Sequence, residues 1–90
     1  MKARGGKYIV YVLLCADKTF YVGSTNDLKK RLHSHNNLKS GAHYTKIRRP
    51  VVLKYSEIWK TYGAARKREG EIKKMKREEK SFLIRNRFKN

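Results

Sequence analysis

Eight consecutive apolar residues, Tyr8 to Cys15 (YIVYVLLC), stand near the start of a chain otherwise dominated by Lys and Arg. The run is rich in Val, Ile and Tyr and does not alternate, so it reads as a strand covered on both faces. Such a strand belongs in the middle of its sheet. A polar Ala16-Asp17-Lys18 follows, then a shorter apolar run, about Thr19 to Ser24, that holds Tyr21 and Gly23. Two strands and a tight turn are the natural reading.

The register of this hairpin decides which side chains share a face. A two-residue turn at Asp17-Lys18 pairs Leu14 with Tyr21 and puts Tyr11 and Tyr21 on opposite faces. A three-residue loop, Ala16 to Lys18, pairs Leu13 with Tyr21 and Tyr11 with Gly23, so both tyrosines point the same way. That loop normally wants a left-handed glycine at its third position. Here Lys18 would occupy it, at a cost of about 1 kcal/mol. Local preference leaves the two registers open. Gly23 offers room beside Tyr11 for a phosphate, and equally serves as a plain strand-ending glycine.

Beyond the hairpin, Leu28, Leu32 and His35 recur at helical spacing, with Thr25, Asn26 or Asp27 able to cap the helix. It runs to about His35 or Asn36. NNLKSGAHYTKIRRP reads as a long loop with a basic rim. Val51 to Trp59 alternates as a third strand, with Val51, Leu53 and Tyr55 on one face and Val52, Lys54 and Ser56 on the other. Thr61 can cap a second helix from about Gly63 to Met75. After a break near Lys76-Arg77, a short third helix ends in Phe82, Leu83 and Ile84. The order β-β-α-β-α-α predicts an α+β domain, a three-stranded, mostly antiparallel sheet flanked by helices with the first strand central. Residues 7–84 form the domain, 1–6 a flexible basic arm and 85–90 a frayed tail.

Ninety residues suffice for one domain with one small core. With 24 Lys and Arg against 7 Asp and Glu, the formal charge is +17. An excess this large repels itself without a polyanionic partner, and nucleic acid is the usual one. A single cysteine, Cys15, excludes an intramolecular disulfide and supplies no Cys/His zinc cluster. It suits a reducing, cytoplasmic compartment, which includes the nucleoid. No apolar run approaches the length of a membrane span, so no membrane partner is expected.

Arg31 and His35 lie four apart on one helix face, although Arg31 also stands four after Asp27, the spacing of an ordinary surface ion pair. Ala65, Glu69 and Ile72 form the stripe of the second helix that faces the sheet, whereas Glu71 points away. A carboxylate on that stripe requires a partner, which is a cationic side chain or a metal.

Taken in order, Ile9-Val10-Tyr11, Tyr21-Val22-Gly23, Arg31 four before His35, and Glu69 in EGEIK resemble the GIY-YIG nuclease family, over roughly Lys7 to Ile84. GAHYTKIRRPVVLKYSE looks like its small stand-alone members. Ile9 replaces the glycine of the first motif, and Lys18 stands where relatives often carry glycine. The resemblance implies that both tyrosines face one phosphate, and this selects the three-residue loop with Lys18 at positive φ. It implies an endonuclease, with DNA favoured over RNA as its partner, dependent on one divalent metal ion, Mg²⁺ or Mn²⁺, which a single carboxylate would bind weakly without substrate. Ninety residues leave no room for a separate recognition domain, so low sequence specificity is expected.

In that reading Tyr11 orients or deprotonates the water, its pKa lowered by nearby cations, and Tyr21 binds the phosphate or supports the base. Arg31 holds non-bridging oxygens, His35 orients the phosphate or relays a proton, and Glu69 holds the metal. Gly23, Tyr44, Lys46, Arg48, Arg49 and Lys73 are candidate substrate contacts. The alternative is a non-catalytic DNA- or RNA-binding module on the same fold. A basic protein-interaction domain would leave the inward Glu69 unexplained.

Overall fold

The computed structural model describes residues 7–37 and 43–86; the arm 1–6, residues 38–42 and residues 87–90 lie outside them. Strand β1 (Tyr8–Leu14) pairs antiparallel with β2 (Phe20–Thr25) and β3 (Val52–Trp59), giving the sheet order β2-β1-β3. The uninterrupted apolar run is therefore the central strand, as its two-sided hydrophobicity requires. Val10 and Val12 pack on one face with Val22, Ala65 and Ile72. Tyr11 and Leu13 pack on the other with Cys15 and Val51, and Tyr21, Leu28, Leu32 and Leu53 close over them. Each fully buried Val, Leu or Ile in these layers stabilises the fold by about 1.5–3 kcal/mol.

The hairpin adopts the three-residue loop. Tyr11 lies opposite Gly23 and Leu13 opposite Tyr21, and Lys18 has φ of 72°. The left-handed lysine is held by its surroundings. Its N–H donates to the Cys15 carbonyl at 2.9 Å, and its own carbonyl accepts from Arg77, whose guanidinium lies 4.9 Å over the Phe20 ring. Asp17 accepts from Thr19 Oγ1 at 2.6 Å and pairs with Arg48 Nε at 2.8 Å. These contacts offset the strain that glycine would have avoided.

Strand β3 departs from the expected simple alternation. Val12 pairs with Tyr55 but Leu13 pairs with Leu53, so Lys54 is an extra residue, a β-bulge. Leu53 and Tyr55 consequently lie on opposite faces, with Leu53 beside Tyr11 and Leu13 and Tyr55 beside Val10 and Val12. Nothing in an alternating run announces where such a residue will be inserted.

Helix α1 (Leu28–Asn37) is capped by Asp27, whose carboxylate accepts from Lys30 N–H. The segment read as one long loop contains a short helix, α2 (His43–Lys46), too brief to show a period. Helix α3 (Tyr62–Lys73) starts at Thr61, whose hydroxyl accepts from Ala64 N–H, and buries Ala65, Glu69 and Ile72 against the sheet. Helix α4 (Arg77–Asn86) runs two residues beyond the expected domain boundary at 84. Glu57 joins β3 to α3, accepting from Tyr55 Oη (2.6 Å), Trp59 Nε1 (2.7 Å) and Arg68 Nε. No helix among the described residues is long and apolar enough to cross a membrane.

Candidate active site

Alternation along β1 and β2 sends Tyr11 and Tyr21 to the same face, toward α1, where their rings lie 6.5 Å apart. His35, four residues after Arg31 on α1, completes the cluster, 5.0 Å from the Tyr21 ring and 5.8 Å from that of Tyr11. Tyr11 is 2% exposed and His35 and Thr45 are fully buried. The Tyr11 hydroxyl and His35 Nε2 are 2.8 Å apart, and His35 Nδ1 and Thr45 Oγ1 are also 2.8 Å apart. A chain of three hydrogen-bonding groups thus crosses from the sheet through α1 to α2. With both ring nitrogens engaged and no exposed surface, His35 cannot hold a phosphate directly.

Burial and then the Tyr21 phenol push the Tyr11 phenol well above its ordinary range; Glu69 adds to this and Arg31 opposes it. The expectation that cations would lower Tyr11 fails because desolvation of a buried phenolate outweighs one exposed guanidinium. Burial, with Arg31 and Arg49, lowers His35, which is therefore a neutral imidazole at neutral pH.

Gly23 is buried beneath Tyr11. A β-carbon there would lie 2.5 Å from the Tyr11 hydroxyl and 2.8 Å from Cζ. The space expected to receive a phosphate is filled by the phenol. Glycine at this position admits the tyrosine.

Glu69 reaches the same edge of the sheet from the opposite face. Ser24, next to Gly23 on the edge strand β2, donates to Glu69 Oε1 at 2.7 Å. Lys73 Nζ lies 2.9 Å from Oε2 and Arg66 Nε 3.5 Å from Oε1. Burial opposes ionisation of this carboxyl, but hydrogen bonds from Lys73 and Ser24 and the charges of Lys73 and Arg66 hold it below the usual range. Ion-paired and ionised, Glu69 satisfies the requirement that a carboxylate on the inward stripe have partners. It is also a hard oxygen donor of the kind Mg²⁺ and Mn²⁺ take. Among the described residues no group of three or more His, Cys, Asp and Glu could hold a metal ion. A lone carboxylate of this kind would fit such an ion only as one ligand among others supplied from outside the protein.

Arg31 is exposed and lines two adjoining clefts of about 300 and 320 Å³ that meet at Thr25 and Asn26. Lys30 borders one and Arg66 the other. Asp27 is occupied in capping α1, where its carbonyl accepts the Arg31 backbone N–H.

The remaining candidates are dispersed. Arg49 donates to the His35 and Ser34 carbonyls and so caps the end of α1. Arg48 pairs with Asp17 at the hairpin. Lys46 is half-buried in α2, and the Tyr44 side chain lies outside the described residues. Thr45, Ser24 and Arg66, which join these contacts, are not among the residues expected from sequence. Only Ser24 carried a signal: alternation from Gly23 places it on the α3 face, opposite the inward Glu69.

A model of the GIY-YIG catalytic domain matches residues 7–81. The chain belongs to the GIY-YIG family, a nuclease family whose members act on nucleic acids and generally use divalent metals. A UPF0213 protein of Syntrophus aciditrophicus is 51% identical over 78 residues, 87% of this chain and 90% of that one. One from Staphylococcus saprophyticus is 47% identical over 87% of this chain and 94% of its own length. Two solution NMR structures share the fold. A protein from E. faecalis has a TM-score of 0.65 at 36% identity, covering 96% of this chain and 90% of that one. The UPF0213 protein of Bacillus halodurans has a TM-score of 0.59 at 31% identity, covering 90% and 85%.

Proposed function

We propose that the chain is a metal-dependent endonuclease that hydrolyses nucleic-acid phosphodiester bonds with low sequence specificity. The observation that carries this reading is the buried Tyr11–His35–Thr45 chain, with Arg31 on the same helix as His35 and Glu69 at the same sheet edge.

Tyr11 enters as a neutral phenol. In the tautomer with Nδ1–H donating to Thr45, His35 Nε2 accepts the Tyr11 proton. As water attacks phosphorus, Tyr11 Oη takes the water proton while its own passes to His35, and the leaving oxygen takes a proton from solvent. The imidazolium that forms is opposed by Arg31 and Arg49. A phosphate seated on Arg31 offsets that charge, so substrate binding makes His35 the stronger base. Tyr21, half-exposed beside both rings, supports the base or meets the phosphate. Arg31 holds non-bridging oxygens with its planar fork. Glu69 would hold a divalent ion, and such an ion, when bound, would neutralise charge on the phosphate and the leaving oxygen.

Arg31, Lys30 and Arg66 border the clefts as candidate phosphate contacts, and contacts to phosphate position a strand without reading its sequence, which supports low sequence specificity and salt-sensitive binding. The buried free thiol of Cys15 accords with a reducing, cytoplasmic setting.

Nicking of supercoiled DNA with Mg²⁺ or Mn²⁺ tests the reading. Wild type should nick, while Tyr11→Phe and Glu69→Ala should be strongly impaired. Equal activity in all three would point to a contaminant and sink the assignment. Binding without cleavage under either metal would favour a non-catalytic module.

A further inference from the structure

Tyr62 is the first residue of α3 and remains 56% exposed. A single exposed aromatic needs no function, but this ring is fixed on two sides. Tyr8 packs against it edge to face at 5.7 Å. The Arg66 guanidinium lies 5.6 Å from its centroid and donates from Nη1 to its hydroxyl at 2.8 Å. The ring therefore borders the cleft of about 300 Å³ that has Ser24 and Asn26 along it and Arg31 as another lining residue. Ser24 and Arg66 are two of the groups that hold Glu69, with Lys73 the third. One cleft thus joins the candidate phosphate-binding arginine, two residues that hold the candidate metal ligand, and a pre-ordered aromatic face.

A phosphate and a base belong to one nucleotide, and every base has a π-face. Aromatic rings set beside cationic grooves recognise bases by stacking, without reading their edges. A cleft of this volume lies at the small end of ligand sites. It suits one base with its sugar rather than a duplex, whose bases are already stacked on one another.

We infer that Tyr62, ordered by Tyr8 and Arg66, is a stacking platform for an unpaired nucleobase next to the phosphate held at Arg31. The nucleic acid engaged at this site is therefore single-stranded at that nucleotide, whether in a free strand, a loop or a flap. This inference rests on the nuclease reading only in taking the partner to be nucleic acid.

Fluorescence anisotropy in EDTA, where no metal-dependent cleavage consumes the probe, tests it at one fixed salt concentration. The probes are a labelled oligo(dT), an oligo(rU) of equal length, and a base-free strand of tetrahydrofuran phosphodiesters. Wild type should bind the base-bearing strands more tightly than the base-free one. Tyr62→Ala should lose roughly 5- to 150-fold toward the base-bearing strands and nothing toward the base-free strand. Tyr62→Phe keeps the ring and should bind like wild type. The ratio of oligo(dT) to oligo(rU) binding separates DNA from RNA as the source of the base. Equal binding of all three probes by wild type would overturn the platform while leaving phosphate binding intact. Equal weakening of all probes by Tyr62→Ala would show a structural role and overturn it. Binding of no probe would overturn both the platform and the nucleic-acid reading.

Discussion

The hydroxyl of Tyr11 occupies the space that a side chain at residue 23 would need. A β-carbon on Gly23 would stand 2.5 Å from that oxygen, and Tyr11 cannot swing clear because its hydroxyl is tied to His35 inside the core. The glycine of the second motif and the tyrosine of the first are thus one steric unit.

Gly23→Ala should therefore destabilise the fold by about 1–3 kcal/mol, as overpacking of a tight core does. Chemical denaturation of Gly23→Ala, Tyr11→Leu and the double variant checks the mechanism. The two changes should be markedly non-additive, because leucine removes the atoms that clash. Simple additivity would contradict the steric account.

Tyr11→Phe keeps the ring but leaves His35 Nε2 buried without its partner. A loss of about 1–3 kcal/mol is expected from denaturant melts. If the proposed chemistry is right, cleavage should fall far more than folding does, which a rate measured at a temperature where the variant is fully folded will show.

The lowered His35 pKa carries a pH signature. The unfolded chain binds a proton at this histidine near the ordinary imidazole value of about 6.5, whereas the folded chain resists it to lower pH. Between those two values the unfolded state holds more protons, so stability rises with pH and is lost as pH falls through about 6.5. Thermal melts from pH 7.5 down to 5.5 should show this slope in wild type. They should show it reduced in His35→Gln; an unchanged slope would assign the effect elsewhere.

Lys73 sits 2.9 Å from Glu69 Oε2, where its ammonium competes for the carboxylate with any added cation. Removing that charge in Lys73→Met should tighten Mn²⁺ binding to the nucleic-acid-free protein several-fold, since unit charges about 4 Å apart interact by roughly 1–4 kcal/mol near a protein surface. Titration followed by electron paramagnetic resonance of Mn²⁺ reads this directly. The same substitution should weaken binding of nucleic acid at low salt if Lys73 also meets phosphate.

Much of the fold was legible in the linear chain because its signals are local. The unbroken run from Tyr8 to Cys15 marked the central strand, Thr61 marked the start of α3, and the spacing of Ala65, Glu69 and Ile72 marked its inward stripe. The hairpin was not decided by its own residues. A left-handed Lys18 costs energy locally, and contacts from Arg77 and Arg48, far along the chain, hold the turn. The Lys54 bulge, the short α2 and the Thr45–His35 contact were invisible for the same reason, since each depends on a partner remote in sequence or on a segment too short to show a period. The sequence by itself determined which residue types stand in which order: two tyrosines, a glycine, an arginine, a histidine and an inward glutamate on a strongly basic chain. Tertiary structure alone decided that Tyr11 fills the gap above Gly23, that burial raises its phenol instead of cations lowering it, and that His35 stands behind the tyrosine rather than beside a phosphate. Those outcomes depend on desolvation and close packing, which arise only when distant segments enclose the same few groups.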